Sequence, residues 1–195
     1  MAMLYVIQAG RTEWSEQTRI DSTVGVPLSP AGASATREIA TELAGRNITA
    51  IYGSHNESDR QTAQIVADVL SVRPHASEDL RELDYGLWQG LRIEDIKHRH
   101  TRVYRQWLEA PMTICPPEGE ALHEAQGRVV AAIEKIVRRH RDQNVLAVLH
   151  PLVAGLLRCR LIGINLSNIW ENVNWMGTWV SYDLLRLAGA KEETP

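Results

Sequence analysis

Apolar residues fall along this chain in two alternating rhythms. Leu4 to Ala9 is a short, largely apolar run closed by Gly10, the pattern of a strand covered on both faces. After a polar loop, Ser29-Pro30 opens a helical stretch from Ala31 to about Gly45, in which Ile39, Ala40 and Leu43 share one face. Thr49 to Tyr52 reads as a second strand, and Asp59 to Leu70 as a second helix with Ala63, Val66, Ala67 and Leu70 facing inward. Asn144 to Leu149 is a further strand, His150-Pro151 opens a helix running to Ile162, and a last strand falls near Thr178 to Leu184. Strands alternating with helices predict an α/β domain with a mostly parallel sheet, whose reactive groups collect at the carboxyl ends of the strands.

The middle of the chain has a different character. Glu78 to Gly90 reads as a loop, followed by helical patterns at about 91–110 and 119–140, separated by Pro111 and by Pro116-Pro117. The expectation is one domain spanning 1–195, with 91–140 as a helical insertion covering the site. Three unusual segments, at 8–15, 53–60 and 149–151, each lie just past a predicted strand, so one edge of the sheet is the candidate site.

Composition narrows the classes of function. The 195 residues, 44% of them apolar, suffice for one substantial core. A net charge of −3, from 21 basic and 24 acidic residues, leaves no footprint for nucleic acid or an anionic membrane. Cys115 and Cys159 are too few for a disulfide framework or a metal cluster, which fits a reducing compartment. The start of the chain runs directly into a strand without a basic leader or long apolar stretch, and a cytoplasmic location is expected. The chain contains no Phe, so Trp170, Trp175 and Trp179 are expected to fill core space. The basic stretch with Arg92, Lys97, His98, Arg99, His100, Arg102 and Arg105 reads as a solvated helix face.

Several motifs recur in a fixed order: Gly10-Arg11-Thr12-Glu13-Trp14, Arg19-Ile20, Val26-Pro27-Leu28-Ser29 with Gly32, Tyr52-Gly53-Ser54 leading to Arg60-Gln61-Thr62-Ala63, Leu80-Arg81-Glu82-Leu83-Asp84-Tyr85-Gly86 with Trp88 and Gly90, Pro117-Glu118-Gly119-Glu120, and Val148-Leu149-His150. In these the chain resembles the histidine phosphatase superfamily, the phosphoglycerate-mutase-like group, from Leu4 to about Asp183. The resemblance implies a three-layer α/β/α fold and a phosphate pocket that uses no metal or other cofactor. It also implies an Arg-His-Gly nucleophile that becomes phosphohistidine, two arginines and a second histidine that hold phosphate, and a glutamate that protonates the leaving group.

Carried over position by position, these implied roles survive unevenly. The first arginine falls on Gln8, the nucleophilic histidine on Ala9, and the second arginine on Ser58. Glu82 matches the proton donor and His150 the second histidine, with Pro151 where glycine is usual. Gly10, Ser15 and Arg19 complete the expected binding set, Ser15 replacing a frequent asparagine. Arg60 cannot stand in for the lost arginine, because two residues along a helix turn a side chain by about 200°. Arg11 is expected to face solvent, and His55, on a loop, is not placed to inherit in-line attack.

Each charge-assisted phosphate contact contributes on the order of 1.5–3 kcal/mol, so losing two arginines weakens phosphate binding by roughly two to four powers of ten. Two functions are therefore expected from the sequence. The first is a catalytically impaired or inactive pseudo-phosphatase that binds a small anionic ligand weakly or a protein partner. The alternative is a phosphomonoesterase with residual or altered hydrolytic chemistry on Glu82 and His150. A third, weaker reading keeps phosphatase or mutase at face value, and of these mutase action is the least expected, since it requires the phosphohistidine that Ala9 forbids.

Overall fold

Five strands form one sheet: β1 (Met3–Gln8), β2 (Ile48–Gly53), β3 (Pro74–Ala76), β4 (Asn144–Leu149) and β5 (Val180–Asp183), in the spatial order β3-β2-β4-β1-β5. The computed structural model describes residues 2–22, 25–173 and 179–183. β1 through β4 run parallel and β5 pairs antiparallel with β1 along one edge. The helices are α1 (Glu13–Glu16), α2 (Pro30–Leu43), α3 (Glu57–Leu70), α4 (Ile93–Arg99), α5 (Thr101–Glu109), α6 (Leu122–Arg139), α7 (Pro151–Ile162) and α8 (Trp170–Val173).

Strand alternation produces the layers. On β1, Leu4 and Val6 face one side while Tyr5 and Ile7 face the other; on β4, Val145, Ala147 and Leu149 oppose Leu146 and Val148. The first side buries Val129, Ile133 and Val137 of α6 with Val153, Ala154 and Leu157 of α7. The second buries Ala40 and Leu43 of α2 with Ala63, Val66 and Ala67 of α3. This is the expected three-layer α/β/α arrangement.

Two elements differ from the sequence reading. β3 was not expected, because a three-residue edge strand headed by Pro74 carries no periodicity to read. The stretch 91–140, expected as one helical cover, divides: α6 lies on the sheet through residues spaced three and four apart, and only α4, α5 and their connections stand off it. Those connections enclose a third cluster around Trp88 and Trp107, against which Trp170 packs at 5.3 Å. Core filling thus holds for Trp170, while Trp175 lies outside the described residues. The basic residues of α4 and α5 are exposed. Among the described residues, no helix is long and apolar enough to cross a membrane.

The loop carrying Glu82 is anchored by a half-buried guanidinium. Arg128 of α6 donates to the carbonyls of Asp79 and Arg81, each at 2.9 Å, and pairs with Glu120 at 2.7 Å. Removing one partner of such a pair strands the other charge. Arg128→Met is expected to lower stability in denaturant unfolding by about 1.5–3 kcal/mol, as for lost hydrogen bonds to a charged group. A loss well under 1 kcal/mol would place the loop's anchor elsewhere.

Candidate functional site

The carboxyl ends of β1, β2 and β4 deliver the site. Gln8 and Leu149 are in register, and the Ala9 amide donates to the Leu149 carbonyl at 2.8 Å, so the segment after β1 lies against the segment after β4. His150 is the N-cap of α7, with Pro151 fixing the first helical position. Ser58 and Asp59 sit in the first turn of α3, which is separated from the end of β2 by three residues. Glu82 enters from the loop held by Arg128.

Three of the expected residues meet directly. Ser58 Oγ lies 3.2 Å from His150 Nε2, and Glu82 Oε2 lies 3.4 Å from His150 Nδ1. The Glu82 carboxylate is fixed from behind: Oε1 accepts from the Leu83 amide at 2.6 Å and Oε2 from the Leu152 amide at 3.0 Å. Ser58, Glu82 and His150 are 3%, 3% and 7% exposed.

The remaining expected residues are engaged otherwise. The Gln8 amide donates to the Val173 carbonyl at 2.8 Å, so it is spent on α8. Ala9 presents a half-buried methyl packed against the α2/α3 cluster. The Gly10 amide donates to Thr62 Oγ1 at 2.9 Å, and a Cβ there would meet Thr36 Oγ1 at 2.7 Å, which explains the glycine. Ser15 closes a capping box with Thr12, which uses its hydroxyl. Arg19 donates to the Gly90 carbonyl at 3.1 Å and lies over the Trp14 ring. Arg60 is exposed and paired with Glu57 at 2.6 Å, and Arg11 and His55 are exposed, so none of them supplies the missing groups.

One residue escaped the sequence reading. Asp59 is fully buried beside Ser58, with one carboxylate oxygen bonded to Ser54 Oγ and the other, Oδ1, without a hydrogen-bond partner and 3.9 Å from His150 Nε2. The only signal for it was an acidic residue adjoining the lost arginine position. Burial raises the Asp59 carboxyl to about 6, against the pull of His150 and the Ser54 hydrogen bond. Burial alone would lower His150, but the Asp59 charge and the hydrogen bond and charge of Glu82 outweigh it and push the imidazole up to about 9. At neutral pH the site is an imidazolium held between two carboxylates. Among the described residues, no group of three or more His, Cys, Asp or Glu is arranged to hold a metal ion.

An α/β sheet with its candidate groups at the strand ends, a histidine after β4 and a glutamate facing it agree with the order of the sequence motifs. The chain belongs to the histidine phosphatase superfamily (branch 1), whose sequence profile matches residues 4–184. It is 26% identical over 171 residues to phosphoserine phosphatase 1 of Hydrogenobacter thermophilus, covering 88% of this chain and 81% of that one. It is 27% identical over 164 residues to the probable phosphoglycerate mutase GpmB of Escherichia coli, covering 84% and 76%. Among solved structures it superposes on Bacillus stearothermophilus YhfR with a TM-score of 0.84 at 27% identity, covering 88% and 85%. The alpha-ribazole phosphatase of Shigella flexneri shares the fold, with a TM-score of 0.80 at 23% identity over 93% and 90% of the two chains.

The buried trio couples stability to pH. His150 holds its proton up to about 9 when folded, against 6.5 ordinarily, so its contribution is complete below pH 6.5 and lost as pH rises through 9. Asp59, raised from 3.8 to about 6, acts in the same direction at lower pH, since the folded state binds its proton more tightly. The melting temperature is expected to fall between pH 6.5 and 9.5, and His150→Gln to flatten that slope. A wild-type melting temperature that is constant across this window would contradict the charge assignment.

Proposed function

We propose that this chain is a family member that has lost phosphohistidine chemistry and is catalytically silent toward phosphomonoesters. The observation that carries the reading is Ala9: a methyl group stands at the position where the family's nucleophile would attack, and no nearby histidine replaces it. The charge of the pocket supports it. With Gln8 and Ser58 at the arginine positions, a phosphate dianion would meet one imidazolium and the carboxylates of Asp59 and Glu82.

Relatives named as phosphoserine phosphatase, phosphoglycerate mutase and alpha-ribazole phosphatase give the chemistry against which this loss is measured. The pocket then favours ligands of low negative charge. Cys115 and Cys159 are both free, in keeping with a reducing, cytoplasmic setting.

The test is a steady-state assay with p-nitrophenyl phosphate and phosphoserine, together with a search for acid-labile phosphohistidine. No turnover above background and no phosphohistidine are expected, while Gln8→Arg, Ala9→His and Ser58→Arg combined restore measurable hydrolysis. Turnover by the unaltered chain at the level of an ordinary phosphatase would sink the reading.

A further inference from the structure

We propose that Ser58, His150 and Glu82 form a serine-nucleophile relay directed at neutral acyl esters, a chemistry distinct from the phosphoryl transfer the site has lost. The three side chains stand in the order hydroxyl, imidazole, carboxylate. Ser58 Oγ is 3.2 Å from His150 Nε2, and the opposite ring nitrogen, Nδ1, is 3.4 Å from Glu82 Oε2. These are the relations by which a base activates a hydroxyl while a carboxylate orients the base. Separate elements supply the groups: the first turn of α3, the N-cap of α7 and the loop at Glu82. Two backbone amides fix the carboxylate, so the ring is oriented before any substrate arrives.

The surroundings select the electrophile. α3 is fourteen residues long, and its N-cap, Asn56, makes no side-chain cap, leaving the first-turn amides around Ser58 available to a developing oxyanion. Among the described residues, no arginine is hydrogen-bonded to Ser58: Gln8 stands at one expected arginine position and is tied to Val173, and Arg60 is paired with Glu57. A neutral carbonyl needs no guanidinium clamp, whereas a phosphate dianion does.

The step balances. Ser58 Oγ bonds to the ester carbon as its proton passes to His150 Nε2, and the carbonyl electron pair moves to oxygen. Collapse breaks the bond to the alkoxide, which takes the proton from Nε2. Water then attacks the acyl-Ser58, giving its proton to Nε2, and Ser58 leaves with that proton. The net reaction is ester and water to acid and alcohol.

The acidic groups acting on His150 are Asp59 of α3, Glu82 of its loop, and Asp21 of the loop after α1; Tyr85, half-buried near Glu82, stays a neutral phenol. All three carboxylates favour the imidazolium, so the base form grows in as pH approaches about 9. Ester hydrolysis is therefore expected to rise with pH to an alkaline plateau.

The test treats the protein with a fluorophosphonate probe, followed by peptide mass spectrometry, and measures p-nitrophenyl butyrate hydrolysis from pH 6 to 10. Expected are a covalent adduct on Ser58, a fall in kcat/KM of about 100-fold or more in Ser58→Ala, and a midpoint moved to lower pH in Asp59→Asn. Folding of each variant is checked by circular dichroism. A folded protein with no adduct on Ser58, or butyrate hydrolysis unchanged in Ser58→Ala, overturns the relay. Phosphohistidine would overturn only the preceding reading.

Discussion

The site depends on one interaction, the grip of two carboxylates on the His150 imidazole. Glu82 holds Nδ1 and Asp59 faces Nε2, and all three side chains are buried. An isolated charge in such a place would shed or gain a proton to escape it. Here each charge is kept by its neighbours, and the loop bearing Glu82 is kept in turn by Arg128 and Glu120 across α6. The pocket is held from the sheet outward.

That grip bears directly on the proposed loss of phosphate chemistry. A site that receives phosphate spends its cations on the ligand. In this chain the imidazole lies between two acidic side chains, and the two positions where arginines are expected carry an amide bonded to α8 and a hydroxyl bonded to the histidine itself. The proposed absence of a nucleophile and the proposed absence of a clamp are therefore two aspects of one arrangement, a buried hydroxyl, imidazole and carboxylate beside a helix N-terminus.

Much of this was legible in the sequence because periodicity and turn chemistry are local. β4 and the end of α7 fall where the apolar pattern put them, and Ser29-Pro30 caps α2 as its residue types require. The meeting of Glu82, Ser58 and His150 followed from motif order. The Gln8 bond to Val173 did not, since it joins residues 165 positions apart through backbone that no pattern encodes. Asp59 was hidden for a different reason: in the first turn of a helix an acidic residue is expected to serve the dipole at the surface, and only packing buries it. That α6 packs on the sheet as well as against the Trp88 cluster was not legible, because an amphipathic face does not say which partner it covers.

The most direct measurement is the titration of His150 by nitrogen NMR of histidine-labelled protein between pH 6 and 10, assigned with His150→Gln. The two-carboxylate grip predicts an imidazolium whose Nδ1 and Nε2 both stay protonated past neutrality and titrate near 9. A His150 that is neutral at pH 7, titrating at or below 6.5, would contradict it.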